Sequence, residues 1–138
     1  MKIRNRFNSE VRAAVGSALA ELGWQDEEFQ TEASDMADLA VPCFAMAKTR
    51  RLPPKEIAAR IADKVTVGGT VAAVEAVNGY LNFTIDPAML VESTLTEIVE
   101  RGDDYGSLPA KGIKINVEHT STNPTGPIHV GRARNPII

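Results

Sequence analysis

Cysteine is all but absent from this sequence. The single Cys43 rules out an intrachain disulfide and points to a reducing compartment. No base or metal-ligand spacing surrounds Cys43, so it reads as a small apolar side chain for the core. Long hydrophobic runs are missing too, and nothing approaches the ~20 apolar residues of a membrane span. The basic start at Lys2, Arg4 and Arg6 is followed by polar and charged residues at helical intervals, which excludes a signal peptide. The chain is therefore expected to be cytoplasmic, with no membrane association. An excess of positive charge is also lacking: the formal net charge is -3 and the pI about 5.4, against broad, nonspecific coating of nucleic acid. Any RNA contact has to be local. Cations gather at Lys48, Arg50 and Arg51, and again at Lys111, Lys114, Arg132 and Arg134, although such clusters are more often solvated faces than phosphate sites. There is no internal repeat, no low-complexity tract and no spacing of metal ligands.

What is present suffices for one core. A chain of 138 residues, 43% hydrophobic and 24% charged, buries about two thirds of its unfolded surface. Phe7, Val11, Ala14, Val15, Ala18, Leu19 and Leu22 recur at helical spacing, with Asn8 or Ser9 available as N-cap and Gly23 as terminator. Trp24 to Asp35 is acidic and aperiodic. Leu39 to Pro42 reads as a short strand, Phe44 to Arg51 as a short helix, and Pro53-Pro54 opens a further helix carrying Leu52, Ile57, Ile61 and Val65, ended by Gly68-Gly69. Val71–Val77 and Tyr80–Ile85 flank Asn78-Gly79, the pair that best supplies the positive φ angles of a type I′ hairpin turn. Asp86-Pro87 caps a last helix whose Leu90, Val91, Leu95, Ile98 and Val99 share one face, closed by Gly102. The stretch from Gly102 to Pro109 reads as a linker. The fold class is α+β: a domain over 1–109 with an antiparallel sheet packed by helices, then residues 110–138 as a second, partial unit.

That second unit opens with alternation, Ile113, Ile115 and Val117 against Lys114 and Asn116, which predicts a strand. It runs into Glu118-His119-Thr120-Ser121-Thr122-Asn123-Pro124-Thr125-Gly126-Pro127-Ile128-His129-Val130-Gly131-Arg132. A strand, a Pro/Gly loop and His-x-Gly before a helix can set nucleotide phosphates against free backbone N–H groups. Glycine at 131 leaves room for adenine or ribose, and His129 can donate to phosphate oxygens. On these grounds alone the segment is equally a nucleotide site or an ordinary strand-to-helix connection.

The longer run, Glu118 to Arg134, resembles arginyl-tRNA synthetases at the class I motif usually written HIGH. Asp38 to Lys48, Pro54 to Ala58 and Asn78 to Phe83 resemble the N-terminal additional domain of the same family, in the same order. The resemblance implies activation of arginine by ATP, with Mg2+, to an arginyl adenylate, then transfer to the terminal adenosine of the cognate tRNA. It implies catalytic roles for His129 and Arg132, ATP contacts from His129, Gly131 and Arg132, and an arginine pocket containing Glu118 and Asn123. Carboxylate and amide suit a cationic amino acid. Arg132 stands where most class I enzymes have histidine; its guanidinium can bind phosphate but cannot act as an imidazole. Arg134 reads as a phosphate ligand or a solvated helix residue, and His119 as structural or pocket-lining.

Along the second hairpin strand Leu81, Phe83 and Ile85 face one way and Tyr80, Asn82 and Thr84 the other. A ring and an amide side by side can read an unstacked base by stacking and by hydrogen bonding to its edge; they can equally be a strand-favouring residue and a space-filler on a solvated face. The family resemblance implies the first, with Tyr80 and Asn82 on a nucleotide of the tRNA D-loop at the outer corner of the L. The expectation is an N-terminal portion of an arginyl-tRNA synthetase, carrying the tRNA-binding domain and the first βα unit of a truncated Rossmann-type domain, catalytically inactive by itself and binding no cofactor tightly. The parent is expected to be monomeric. The severed strand is expected to pack on the domain or on a second copy of the chain. The alternative is a free-standing RNA-binding module with a synthetase-like extension.

Overall fold

Ile3, Phe7, Val11, Val15, Ala18 and Leu19 recur about once per turn, and this stripe winds Lys2–Glu21 into helix α1 with all of them buried. The structure, a computed structural model, describes residues 2–116, 126 and 130, and the chain divides into two units, residues 1–106 and 107–138. α1 starts earlier than the cap expected at Asn8 or Ser9, because Ile3 carries the stripe one turn further. Asn8 instead exchanges hydrogen bonds with the Thr31 side chain, at 3.3 and 3.4 Å. The end of α1 falls at Gly23 as expected: Trp24 N–H donates to the Leu19 carbonyl at 2.7 Å and Gly23 N–H to Ala20 at 3.0 Å, the paired bonds of a Schellman closure.

After α1 come β1 (Leu39–Pro42), α2 (Met46–Arg50), α3 (Pro54–Ala62), β2 (Val71–Val77), β3 (Tyr80–Ile85) and α4 (Pro87–Arg101), then a 3-10 turn at Gly102–Asp104. The strands form an antiparallel sheet in the order β1-β3-β2, so the hairpin strand β3 is central. Asn78 and Gly79 both have positive φ, 51° and 89°, which is the type I′ geometry that keeps β2 and β3 in register. α3 stops at Ala62, short of the expected Gly68-Gly69. The β-branched run Val65-Thr66-Val67 disfavours helix, and the glycines serve the approach to β2 instead.

Opposite residues in an antiparallel ladder share a face. Phe83 lies across from Leu39 and Val74, and Leu81 across from Val41 and Ala76. That face meets α1 and α3, and Phe83, Leu81, Val41, Val11, Val15, Leu19, Ile57, Ile61 and Met46 close the core. Each such side chain contributes about 1.5–3 kcal/mol by leaving water. Cys43 is fully buried, and desolvation pushes its thiol up to about 11, the signature of a packing residue.

α4 departs from expectation. Its cap is as read, with Asp86 Oδ1 accepting from Ala88 and Met89 N–H at 2.8 and 3.0 Å, but the apolar face is turned outward. Only Leu90 joins the core, while Val91, Leu95, Ile98 and Val99 are 56, 56, 38 and 82% exposed. The buried residue is Glu97, whose carboxylate accepts from the Lys2 backbone N–H at 3.4 Å and from Arg101 at 3.3 Å. Desolvation opposes its ionisation, but these donors outweigh it and hold the pKa below the usual value. A carboxylate at the free N–H groups opening α1 is favourable pairing, and it decides which side of α4 faces in.

In the second unit, the strand expected over Ile113–Val117 is absent from its described part, 113–116. A strand exists through its ladder, and no described residue pairs with these; Ile113 and Ile115 are 67 and 64% exposed. The βα turn expected after it lies outside the described residues. Among the described residues, no helix is long and apolar enough to cross a membrane and no group of His, Cys, Asp and Glu could hold a metal ion.

Candidate nucleic-acid interface

The second face of the sheet is the one α1 and α3 leave uncovered. Tyr80, Asn82 and Thr84 point there from β3, joined in register by Val77, Glu75 and Ala73 of β2 and by Pro42 and Ala40 of β1. Thr84, Glu75 and Ala73 are exposed and Tyr80 and Val77 half-buried.

Tyr80 does not stand alone. Cys43 N–H donates to the Gly79 carbonyl at 2.9 Å, which brings the chain leaving β1 onto the hairpin turn and delivers Phe44 beside it. A Cβ on Gly79 would lie 2.9 Å from Pro54 Cβ and 3.2 and 3.3 Å from the Phe44 ring, so glycine is needed here for space as well as for φ. The Phe44 and Tyr80 rings then meet edge to face, with centroids 5.0 Å apart and planes at 74°, a favoured aromatic geometry. Phe44 remains 45% exposed.

Asn82 shares the face but is only 9% exposed. Glu32 and Ala40 exchange backbone hydrogen bonds at 2.9 Å each, which runs the preceding segment along the outer edge of β1. Ser34 then covers the amide, its Oγ donating to Asn82 Oδ1 at 3.4 Å. The ring and amide of the expected pair are therefore both on the uncovered face, the amide beneath Ser34 and the ring beside Phe44. Nothing in the alternation of β3 announces Phe44; the signal available was a large aromatic at a strand end immediately before the cations Lys48, Arg50 and Arg51.

The cation cluster divides. Arg50 is turned inward: its Nε donates to Glu27 Oε1 at 2.6 Å, a second nitrogen pairs with Asp26, and its guanidinium sits over the Trp24 ring at 5.4 Å. Burial works against its charge, yet the two carboxylates outweigh burial and raise its pKa, while the hydrogen bond from Arg50 lowers that of Asp26. Lys48, Arg51 and, at the start of α3, Lys55 are exposed. A cleft of about 720 Å³ lies on the core side between α1, Leu39, Ile85 and Leu90. Of its polar lining, Asn8 is engaged with Thr31, Arg12 lies over Phe29 and Asp38 accepts from Ile85 N–H.

The sequence profile described as "Arginyl tRNA synthetase N terminal domain" matches residues 2–85, which spans α1, α2, α3 and the whole sheet. The chain belongs to the arginyl-tRNA synthetase N-terminal domain family. Relatives named arginine–tRNA ligase include that of Archaeoglobus fulgidus, 42% identical over 96% of this chain and 23% of the relative. The one from Pyrococcus abyssi is 39% identical over 84% of this chain and 20% of the relative. Among solved structures, an arginyl-tRNA synthetase of Thermus thermophilus matches 91% of this chain and 20% of its own, with a TM-score of 0.55 and 30% identity. The chain thus spans about a fifth of the length of the synthetases it matches. Glu118, Asn123, His129, Gly131 and Arg132 lie outside the described residues.

Proposed function

We propose that this chain is the tRNA-gripping N-terminal domain of an arginine–tRNA ligase, and that Tyr80 and Asn82 take hold of a D-loop nucleotide at the outer corner of the tRNA. The observation that carries the reading is the uncovered sheet face, on which a domain of this family presents an accessible aromatic pair next to exposed cations. Stacking of a base on such a ring is worth about 1–3 kcal/mol. In this reading Asn82 offers its amide N–H groups to the base edge, with Ser34 orienting it through Oδ1.

The ligase reaction is proposed to join L-arginine to its tRNA in the cytoplasm using ATP with Mg2+. His129, Gly131 and Arg132 would then hold ATP, whose phosphoanhydride activates the arginine carboxyl, and Glu118 and Asn123 would receive the cationic substrate. Residues 110–138 would be the opening of the Rossmann-type catalytic domain and 1–109 the tRNA-binding domain. Self-association through Ile113–Val117 would be a property of this length of chain, the ligase itself acting as a monomer.

The test is a gel shift of the 138-residue chain with arginine tRNA and a noncognate tRNA, beside Tyr80→Ala and Asn82→Ala. The expected outcome is about 30-fold weaker binding for Tyr80→Ala, the middle of the stacking range, and a smaller loss for Asn82→Ala. Unchanged binding by both would remove the hairpin from the RNA contact. Arginine-dependent pyrophosphate exchange by this chain is expected to be absent.

A further inference from the structure

We propose that Phe44 is the second wall of the nucleotide site, and that Lys48, Arg51 and Lys55 grip the phosphates on either side of the nucleotide held there. The inference rests on the tRNA reading of the Tyr80 face and adds to it a stacking residue and a direction for the RNA strand.

The geometry is that of a notch. Two rings meeting at 74° with centroids 5.0 Å apart leave a concave corner, where a base lying flat on one ring presents its rim to the other. The corner is rigid for its size. Phe44 lies against Gly79, and Tyr80 is fixed in register between Pro42 and Val77. Phe44 keeps nearly half of its surface in water although large aromatics gain most from burial.

The charges fall on one side. Ala45 has helical φ and ψ and Ala47 N–H donates to the Phe44 carbonyl at 3.3 Å, so the helical turn begins at Phe44. Phe44 and Lys48, at i and i+4, then share one helix face, and exposed Arg51 follows as the left-handed residue that ends α2. Lys55 follows Pro54, which touches the hairpin turn. Arg50 is spent on Asp26, Glu27 and Trp24, and Glu56 pairs with Arg60 at 2.6 Å. On the other side of Tyr80, β2 presents exposed Glu75, which repels phosphate. The backbone of the RNA therefore runs along α2 and the start of α3 rather than across β2.

Fluorescence anisotropy with an arginine-tRNA transcript, followed over a range of salt concentrations, separates these roles. Phe44→Ala and Phe44→Leu are expected to bind about 5- to 150-fold more weakly; the leucine variant keeps an apolar contact on Gly79 while losing the ring, and its circular dichroism should match the parent. The double variant Lys48→Gln/Arg51→Gln is expected to flatten the log–log salt slope by about 1.4–1.8, the release expected for two phosphates, while Arg50→Gln leaves that slope unchanged. Wild-type affinity in Phe44→Leu together with weakened Tyr80→Ala would overturn this proposal and leave the hairpin reading intact. Wild-type affinity in both would overturn the two together and make the exposed rings a protein contact. An unchanged slope in the lysine–arginine variant would remove α2 from the phosphate path.

Discussion

Glu10 shows how one side chain ties two distant parts of the chain. Its Oε2 accepts from both the backbone N–H and the hydroxyl of Thr70, each at 2.6 Å, and its Oε1 from Arg6 at 2.8 Å. Thr70 is fully buried, so the carboxylate joins α1 to the turn that launches β2. The Thr70 hydroxyl, then its backbone N–H, then Arg6 lower the Glu10 pKa from 4.5 to about 2. A folded-state pKa below the unfolded one contributes stability that is complete above pH 4.5 and lost as pH falls from there toward 2. Glu10→Ala is expected to destabilise the domain by about 2 kcal/mol, because Thr70 is left buried without its acceptor. Urea unfolding at pH 6 and pH 3 checks both points: the parent should lose more stability on acidification than Glu10→Gln. None of this was legible beforehand, since the partners are 60 residues apart and no periodicity links them. Asn82 is a similar case. Alternation along β3 gave its face correctly, but its cover by Ser34 depends on the Glu32–Ala40 pairing, which a four-residue strand does not advertise.

At the scale of elements, the hairpin was the most legible part of the chain because local chemistry decides it. Asn78-Gly79 supplies two positive φ angles, and few other pairs do so without strain. Gly79→Ala is expected to lower stability by about 1–3 kcal/mol, from the φ of 89° and the 2.9 Å approach to Pro54; a lower urea midpoint measures it. Asn78→Gly should be nearly neutral by the same measurement. α4 was legible in extent but not in orientation. Its cap and length follow from Asp86, Pro87 and Gly102, whereas its inward side is set by Glu97 at the start of α1, an electrostatic pairing that hydrophobic periodicity cannot report. Leu95→Gln on the exposed side is therefore expected to change stability by no more than about 0.5 kcal/mol, and Glu97→Ala to cost more. A loss from Leu95→Gln comparable to that of a core substitution would mean that this side of α4 is covered.

For the molecule as a whole, an overall charge of -3 means that the proposed RNA affinity would have to come from a small surface where aromatic rings and cations coincide. The candidate is the corner formed by Phe44 and Tyr80, beside exposed Lys48, Arg51 and Lys55. The family's motifs were readable in the sequence because they are long and ordered along the chain, and the profile match over 2–85 agrees with those of the N-terminal domain. Binding should be local and salt-sensitive, in keeping with phosphate contacts. The most direct measurement is a titration of the 15N-labelled chain with arginine tRNA, followed by amide chemical shifts. The largest changes are expected at Phe44, Tyr80 and Asn82 and along α2, with Val91, Leu95 and Val99 of α4 unmoved; perturbations centred on α4 or on the core-side cleft, with the hairpin silent, would contradict tRNA binding at this corner.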